Sequence, residues 1–185
     1  MNTAGVLLAA GPARRFGEAN KLLASWRGRP LVAHAAAALR AAGLDVLIAA
    51  VADDDVAAEL EGFHLVRVEA DKPRLSRSLQ AGIAAAREHS ADRAVIALAD
   101  MPAITPAHLA AVVARCSADT PAATSNGSRP MVPACFPRRS FDALMALEGD
   151  AGARSLLAGL PRDALVPADE SLLLDIDSPA TLRPR

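Results

Sequence analysis

Short apolar runs alternate with helix-length segments along nearly the whole chain, and that alternation admits few folds. Residues 4–10, Val46 to Val51, His64 to Val68 and Ala94 to Ala99 read as strands. Between them, Pro30 opens a helix to about Ala42 with Gly43 as its stop. Asp53 to Asp55 cap a short helix to about Leu60, and residues 76–89 form another. Thr105-Pro106 starts a helix to about Cys116. Residues 122–124 and 131–136 are two further short strand candidates, followed by helices over 138–147 and 151–158. The tail, from about Leu165, alternates short extended pieces with loops. Alternation of this kind predicts an α/β fold, a mostly parallel sheet with helices on both faces. The 185 residues suit one domain spanning 1–185. Alanine-rich helix faces such as 33–42 read as packing surfaces.

In a sheet of this kind ligands sit beyond the carboxyl ends of the strands. The first strand ends in Leu8-Ala9-Ala10-Gly11, and a loop with Arg14, Arg15, Gly17 and then Lys21 follows. Glycine lets backbone N–H groups approach an anion, and Arg or Lys neutralises it. The loop therefore points to a nucleotide or another phosphorylated small molecule, against the bland alternative of an ordinary strand-to-helix turn with solvated arginines. It is not a Walker A loop, since Phe16-Gly17-Glu18 stands where Gly-Lys-Ser/Thr is required. Nor is it a dinucleotide fingerprint, since positions 13 and 16 are Ala and Phe.

Asp100 follows the fourth strand, where a carboxylate could hold Mg²⁺ against substrate phosphates or simply cap the Met101-Pro102 turn. Asp175 and Asp177 share a face of an extended segment, and either can be a second metal ligand or a cap for a helix that begins near Pro179. Gly149-Asp150-Ala151-Gly152-Ala153-Arg154 is a glycine-rich turn that could offer backbone donors and Arg154 to a second anionic substrate, or serve only as a connection between helices. Ser76 and Ser78 open a helix where they could bond a base edge or cap the helix. His34, His64, His89 and His108 show no metal-ligand spacing and read as structural or surface residues. No Ser/His/Asp pattern marks a nucleophile, which favours direct displacement.

Composition excludes several classes. A net charge of -1 argues against a nucleic-acid binder with a strongly basic surface. Aromatics make up only 3%, so the core is aliphatic and offers little stacking for bases. No apolar run approaches a membrane span and the start does not resemble a signal peptide, which predicts a cytoplasmic protein. Cys116 and Cys135 form no C-x-x-C motif and read as free thiols of a reducing compartment.

Taken in order, Leu8-Ala9-Ala10-Gly11-x-x-x-Arg15-Phe16-Gly17 with Lys21, Leu98-Ala99-Asp100-Met101-Pro102, Gly149-Asp150-x-Gly152-Ala153-Arg154 and Asp175-Ile176-Asp177-Ser178-Pro179 resemble the MobA-like NTP transferase superfamily, most closely its molybdenum cofactor cytidylyltransferase (MocA-like) branch. The resemblance covers nearly the whole chain. It implies a Rossmann-like three-layer α/β/α fold of the nucleotide-diphospho-sugar transferase type. It implies transfer of CMP from CTP to molybdopterin, giving molybdopterin cytosine dinucleotide and pyrophosphate, with a molybdoenzyme as possible client. By the same resemblance Leu8, Ala9, Ala10 and Gly11 line the nucleotide, Arg15 and Lys21 hold the triphosphate, and Asp100 binds Mg²⁺ with Asp177 or Asp175. Ser78 and Gly82 sit near the base, while Asp150, Gly152 and Arg154 face the acceptor. Alternatives are a related transferase using GTP or another phosphorylated acceptor, a non-catalytic cofactor carrier or insertion chaperone and, least favoured, a nicotinamide-dependent oxidoreductase. Two departures from the pattern stand out: Ala13 replaces the usual Ser or Gly, and Ser128 replaces the usual glycine before Arg129-Pro130-Met131-Val132.

Overall fold

The first strand, β1 (Thr3–Ala9), is buried along its whole length, because it has a strand on each side and a helical layer on each face. The computed structural model describes residues 1–11, 20–69, 75–127, 129–149 and 152–176. Within these, β4 (Val46–Val51), β5 (His64–Arg67), β6 (Arg93–Leu98), β7 (Ala122–Ser125), β8 (Pro130–Pro137) and β9 (Leu165–Pro167) join β1 in a seven-stranded sheet of order β5-β4-β1-β6-β8-β7-β9. The numbers β2 (Ser25–Trp26) and β3 (Arg29–Pro30) belong to a separate small hairpin.

β1, β4, β5 and β6 are mutually parallel. β8 runs antiparallel to β6 and to β7, and β7 pairs in parallel with β9. The sheet is therefore mostly parallel as expected, and the two short candidates over 122–136 add antiparallel pairings through β8. The helix read over 138–147 resolves into a 3-10 turn, Arg138–Ser140, and α5 (Phe141–Met145). The one read over 151–158 is a 3-10 helix, Gly152–Leu157.

The layers follow from strand alternation, which sends successive side chains to opposite faces. Leu7 and Ala9 pack with α1 (Leu31–Arg40) and α4 (Pro106–Arg115) through Val32, Leu39, Leu109 and Val112. Ala4, Val6 and Leu8 pack with α3 (Leu75–Glu88) and α5 through Leu79, Ile83, Phe141 and Leu144. The close approach of α3 needs glycine: a Cβ on Gly82 would lie 2.4 Å from Val6 Cγ1. Local signals place the helices. Thr105 accepts from the His108 N–H at 3.2 Å, with Pro106 in the first turn. Asp53 caps α2 (Asp54–Ala58) by accepting from Asp55 and Val56.

A buried chain ties α4 to the antiparallel extension. Thr124 Oγ1 donates to the Pro133 carbonyl at 2.8 Å, so its lone pair accepts from His108 Nε2 at 2.8 Å. This puts a proton on His108 Nε2. Burial first, then the Arg115 charge, pushes the His108 pKa below its ordinary 6.5. Its contribution to stability is complete above the unfolded value of 6.5 and is lost as pH falls from there through the lower folded value. A urea titration is expected to show stability falling below that pH in the wild type and less steeply in His108→Gln. Identical slopes would remove His108 as the cause.

Candidate active site

The strand order reverses at β1: β4 and β5 lie to one side and β6 to the other. Such a switch point opens a crevice beyond the carboxyl ends of the two diverging strands. The Ala99 N–H donates to the Leu8 carbonyl at 3.1 Å, which carries the pairing past the end of β6 and sets Asp100 at the crevice. Across from it, a 3-10 helix, Lys21–Leu23, is anchored by buried Leu22 and capped by Asn20, whose side chain accepts from the Leu22 N–H at 3.0 Å. This turn aims Lys21 Nζ at Asp100 Oδ2, 2.8 Å away, with the two side chains 14% and 23% exposed. Residues far apart in sequence thus form a half-buried ion pair at the crevice predicted from the strand ends.

Asp100 has one oxygen on Lys21 and a second, Oδ1, that is buried without a hydrogen-bond partner. A buried anionic oxygen beside a cleft suits a hard divalent cation whose remaining ligands come from water and substrate phosphate. The tail reaches the same place: the Ile176 N–H donates to the Asp100 carbonyl at 3.2 Å and its side chain is fully buried. Asp175, next to that anchor, is exposed and lines the adjoining cavity. Among the described residues no three His, Cys, Asp or Glu side chains gather as a metal centre, so the chain would supply part of a coordination shell.

Two neighbouring cavities share Leu98, Met131, Val132 and Arg154. One, of about 270 Å³, has apolar walls from Leu8, Leu79, Ile96 and Leu157. The other, of about 520 Å³, is mixed in charge, with Arg129, Asp169, Glu170 and Asp175. The segment ahead of the 3-10 helix that carries Arg154 is held to α3 by the Ser76 N–H, which donates to the Gly149 carbonyl at 3.3 Å. Gln80 Nε2 reinforces the join by donating to the carbonyls of Met145 and Leu147 at 2.9 and 2.8 Å.

The residues named from sequence fall into three groups. Leu8 lines the apolar cavity, Ala9 and Ala10 are buried beneath the crevice, and Gly11 stands exposed at its mouth. Lys21 and Asp100 pair with each other, Arg154 lines both cavities, Asp175 lines the mixed one, and Gly152 begins the helix that carries Arg154. Arg15, Asp150 and Asp177, with Ala13 and Ser128, lie outside the described residues. Ser78 and Gly82 are buried in α3 and line neither of these two cavities. Gly82 is there because α3 packs on Val6. Sequence reasoning missed Asn20, although Asn ahead of Lys-Leu-Leu is a cap signal. It also missed Arg129 as a wall of the mixed cavity.

The four histidines keep the structural character expected of them. His34 Nε2 meets the Trp26 carbonyl at 2.7 Å, His89 Nδ1 the Ala85 carbonyl at 2.9 Å, and His64 packs on His89. Cys116 and Cys135 are buried free thiols, and the Cys135 thiol is pushed up by its contact with Cys116 and by burial. No helix among the described residues is long and apolar enough to cross a membrane.

Comparison with known proteins fits this geometry. The chain is 31% identical over 192 residues to the nicotine blue oxidoreductase of Paenarthrobacter nicotinovorans, covering 94% of this chain and 91% of that one. It is 31% identical over 190 residues to the purine catabolism protein PucB of Bacillus subtilis, covering 95% and 91%. Its fold matches the crystal structure of Rv0371c from Mycobacterium tuberculosis with a TM-score of 0.83 at 29% identity over 98% of this chain and 96% of that one. A manganese complex of Rv0371c matches with a TM-score of 0.77 at 27% identity, covering 98% and 96%. The MobA-like NTP transferase domain itself matches over residues 5–165, a span that takes in β1, β6, α3 and the segment carrying Arg154, and the chain belongs to that family.

Proposed function

We propose that the protein is a molybdenum cofactor cytidylyltransferase, transferring CMP from CTP to molybdopterin with release of pyrophosphate. The observation that carries a transferase is the Lys21–Asp100 pair at the switch point, with a buried carboxylate oxygen left over. The choice of CTP and molybdopterin rests on the resemblance of Leu98-Ala99-Asp100-Met101-Pro102 and Asp175-Ile176-Asp177 to the MocA-like branch.

In this reading the triphosphate lies across the carboxyl ends of β1 and β6. Gly11 leaves room for phosphate to approach the backbone, and Lys21, with Arg15, neutralises the leaving pyrophosphate. Asp100, assisted by Asp175 or Asp177, would hold Mg²⁺. When bound, that ion would polarise the phosphoryl oxygens and offset the charge that develops on them. Asp150, Gly152 and Arg154 face the acceptor, whose terminal phosphate attacks the α-phosphorus in line. The new P–O bond forms as the bond to pyrophosphate breaks. No side chain is needed as a covalent intermediate, so most of the rate enhancement comes from positioning and charge.

One observation favours a second reading. A relative 31% identical over 94% of the chain is named an oxidoreductase, so this fold could hold a redox substrate in the same cleft. A single assay separates the two: pyrophosphate release with Mg²⁺ and molybdenum-loaded molybdopterin, comparing CTP, GTP, ATP and UTP. Release with CTP alone is the expected result. Release with another nucleotide keeps the mechanism and changes the base. No release with any of the four, from folded protein, removes the proposal. Cofactor binding without turnover would then indicate a carrier, and oxidation of added NADH or NADPH with an electron-accepting substrate would indicate the oxidoreductase.

A further inference from the structure

Lys21 is one of only two lysines in a chain that has eighteen arginines; the other is Lys72. A compact ammonium has thus been kept where an otherwise arginine-rich chain could have used a longer, forked guanidinium. An ammonium on a flexible four-carbon stem needs aiming. Lys21 Nζ lies 2.8 Å from Asp100 Oδ2, and the backbone turn that carries Lys21 sets where its stem starts.

That support is a side chain with two jobs. Asn20 Oδ1 accepts from the Leu22 N–H at 3.0 Å and so fixes the 3-10 turn that begins at Lys21. Its other end, Nδ2, donates to Asp53 Oδ2 at 3.0 Å. Asp53 is fixed in turn, since its Oδ1 caps α2 by accepting from Asp55 at 2.9 Å and Val56 at 3.1 Å. The hydrogen bond from Asn20, followed by the Val56 N–H, holds the Asp53 carboxyl below its ordinary 3.8, so the acceptor stays charged at neutral pH. The bond to Asn20 spans 33 positions of sequence and joins the turn after the first strand to the helix after β4.

We infer that Asn20 and Asp53 form a clamp that positions Lys21 toward Asp100 and the anion it would hold. Both are positioning residues: they act through Lys21. The inference rests on the proposed role of Lys21 in holding phosphate, and it adds the device that holds Lys21 still. A hydrogen bond to a charged acceptor is strong enough that its loss should be visible in Lys21 itself.

The test uses the chain's two lysines. An amine-acetylating reagent is applied to the full-length protein, and modification of Lys21 is measured by mass spectrometry with Lys72 as the internal reference. In Asn20→Asp the capping oxygen survives, but a carboxylate now faces Asp53. In Asp53→Asn the α2 cap survives, but the charged acceptor is lost. Asn20→Ser is the mild variant, keeping an oxygen for the Leu22 N–H without the amide donor. Each is expected to raise Lys21 acetylation relative to Lys72 by on the order of tenfold. The exchanged pair Asn20→Asp with Asp53→Asn rebuilds every bond with donor and acceptor reversed, and should restore protection. Unchanged protection of Lys21 in the single variants, even with lowered melting temperatures, overturns the clamp. So does an exchanged pair that folds yet leaves Lys21 exposed. Calorimetric binding of Mg²⁺-pyrophosphate to the wild type tests the transferase reading separately. Its failure would remove that reading, while Lys21 protection would still decide the clamp.

Discussion

Lys21→Ala and Asp100→Ala are each expected to lower nucleotidyl transfer by on the order of 10²–10³, the scale of removing one preorganised group that stabilises developing charge. The two losses differ in kind. Lys21→Ala removes the cation from the leaving group and leaves a half-buried carboxylate without its ammonium. Asp100→Ala removes the buried oxygen that suits a divalent ion. If both groups act in one step, the double variant should be little worse than the more damaged single, because residues that work as a unit are not additive. Lys21→Arg should rescue poorly. The side-chain space at Lys21 is only 14% exposed, and a planar fork does not replace a point charge there. Pyrophosphate release measures the first effect, and circular dichroism melts confirm that the variants remain folded. Wild-type turnover in either alanine variant would sink the assigned roles.

Part of the fold and of this candidate site is legible in the sequence, for a physical reason. Parallel sheets bury their strands on both faces, so the strands read as apolar runs, and whatever polar residue ends the run stands at the crevice. Gly11 and Asp100 follow such runs in β1 and β6, and caps such as Thr105-Pro106 mark the helices. What stayed illegible depends on pairings that no local pattern encodes. Asn20 finds Asp53 only after β1 and β4 have paired. Cys116 and Cys135 come together only because Cys135 pairs with Ala122, whose backbone also contacts the Cys116 thiol. The β2–β3 hairpin turns on Arg27 at φ 50° and Gly28 at φ 80°, and arginine is an unusual residue for a left-handed turn position. β9 spans only Leu165–Pro167 and exists because β7 offers it an edge.

Gly82, whose sequence context suggests a place near the base, also has a packing role that its surroundings show. Two effects of Gly82→Ala oppose each other. Alanine in a helix interior is favoured over glycine by roughly 0.8–1 kcal/mol. Against this, the new methyl would lie 2.4 Å from Val6 Cγ1, well inside normal contact. Val6 cannot yield easily: it is fully buried, β-branched, and sits on a strand paired on both sides. Forcing α3 off the sheet costs about 1–3 kcal/mol, so the clash outweighs the propensity gain. Gly82→Ala is therefore expected to lower the melting temperature by a few degrees. In a Val6→Ala background the obstructing methyls are gone, and the same substitution should become neutral or stabilising, a reversal that a double-mutant cycle reads directly. Because Gly82 lines neither described cavity, Mg²⁺-CTP affinity measured below the melting transition should stay at the wild-type level in Gly82→Ala. Lost affinity in a folded variant would place Gly82 at the nucleotide site, and a raised melting temperature would show that α3 can shift on Val6 without penalty.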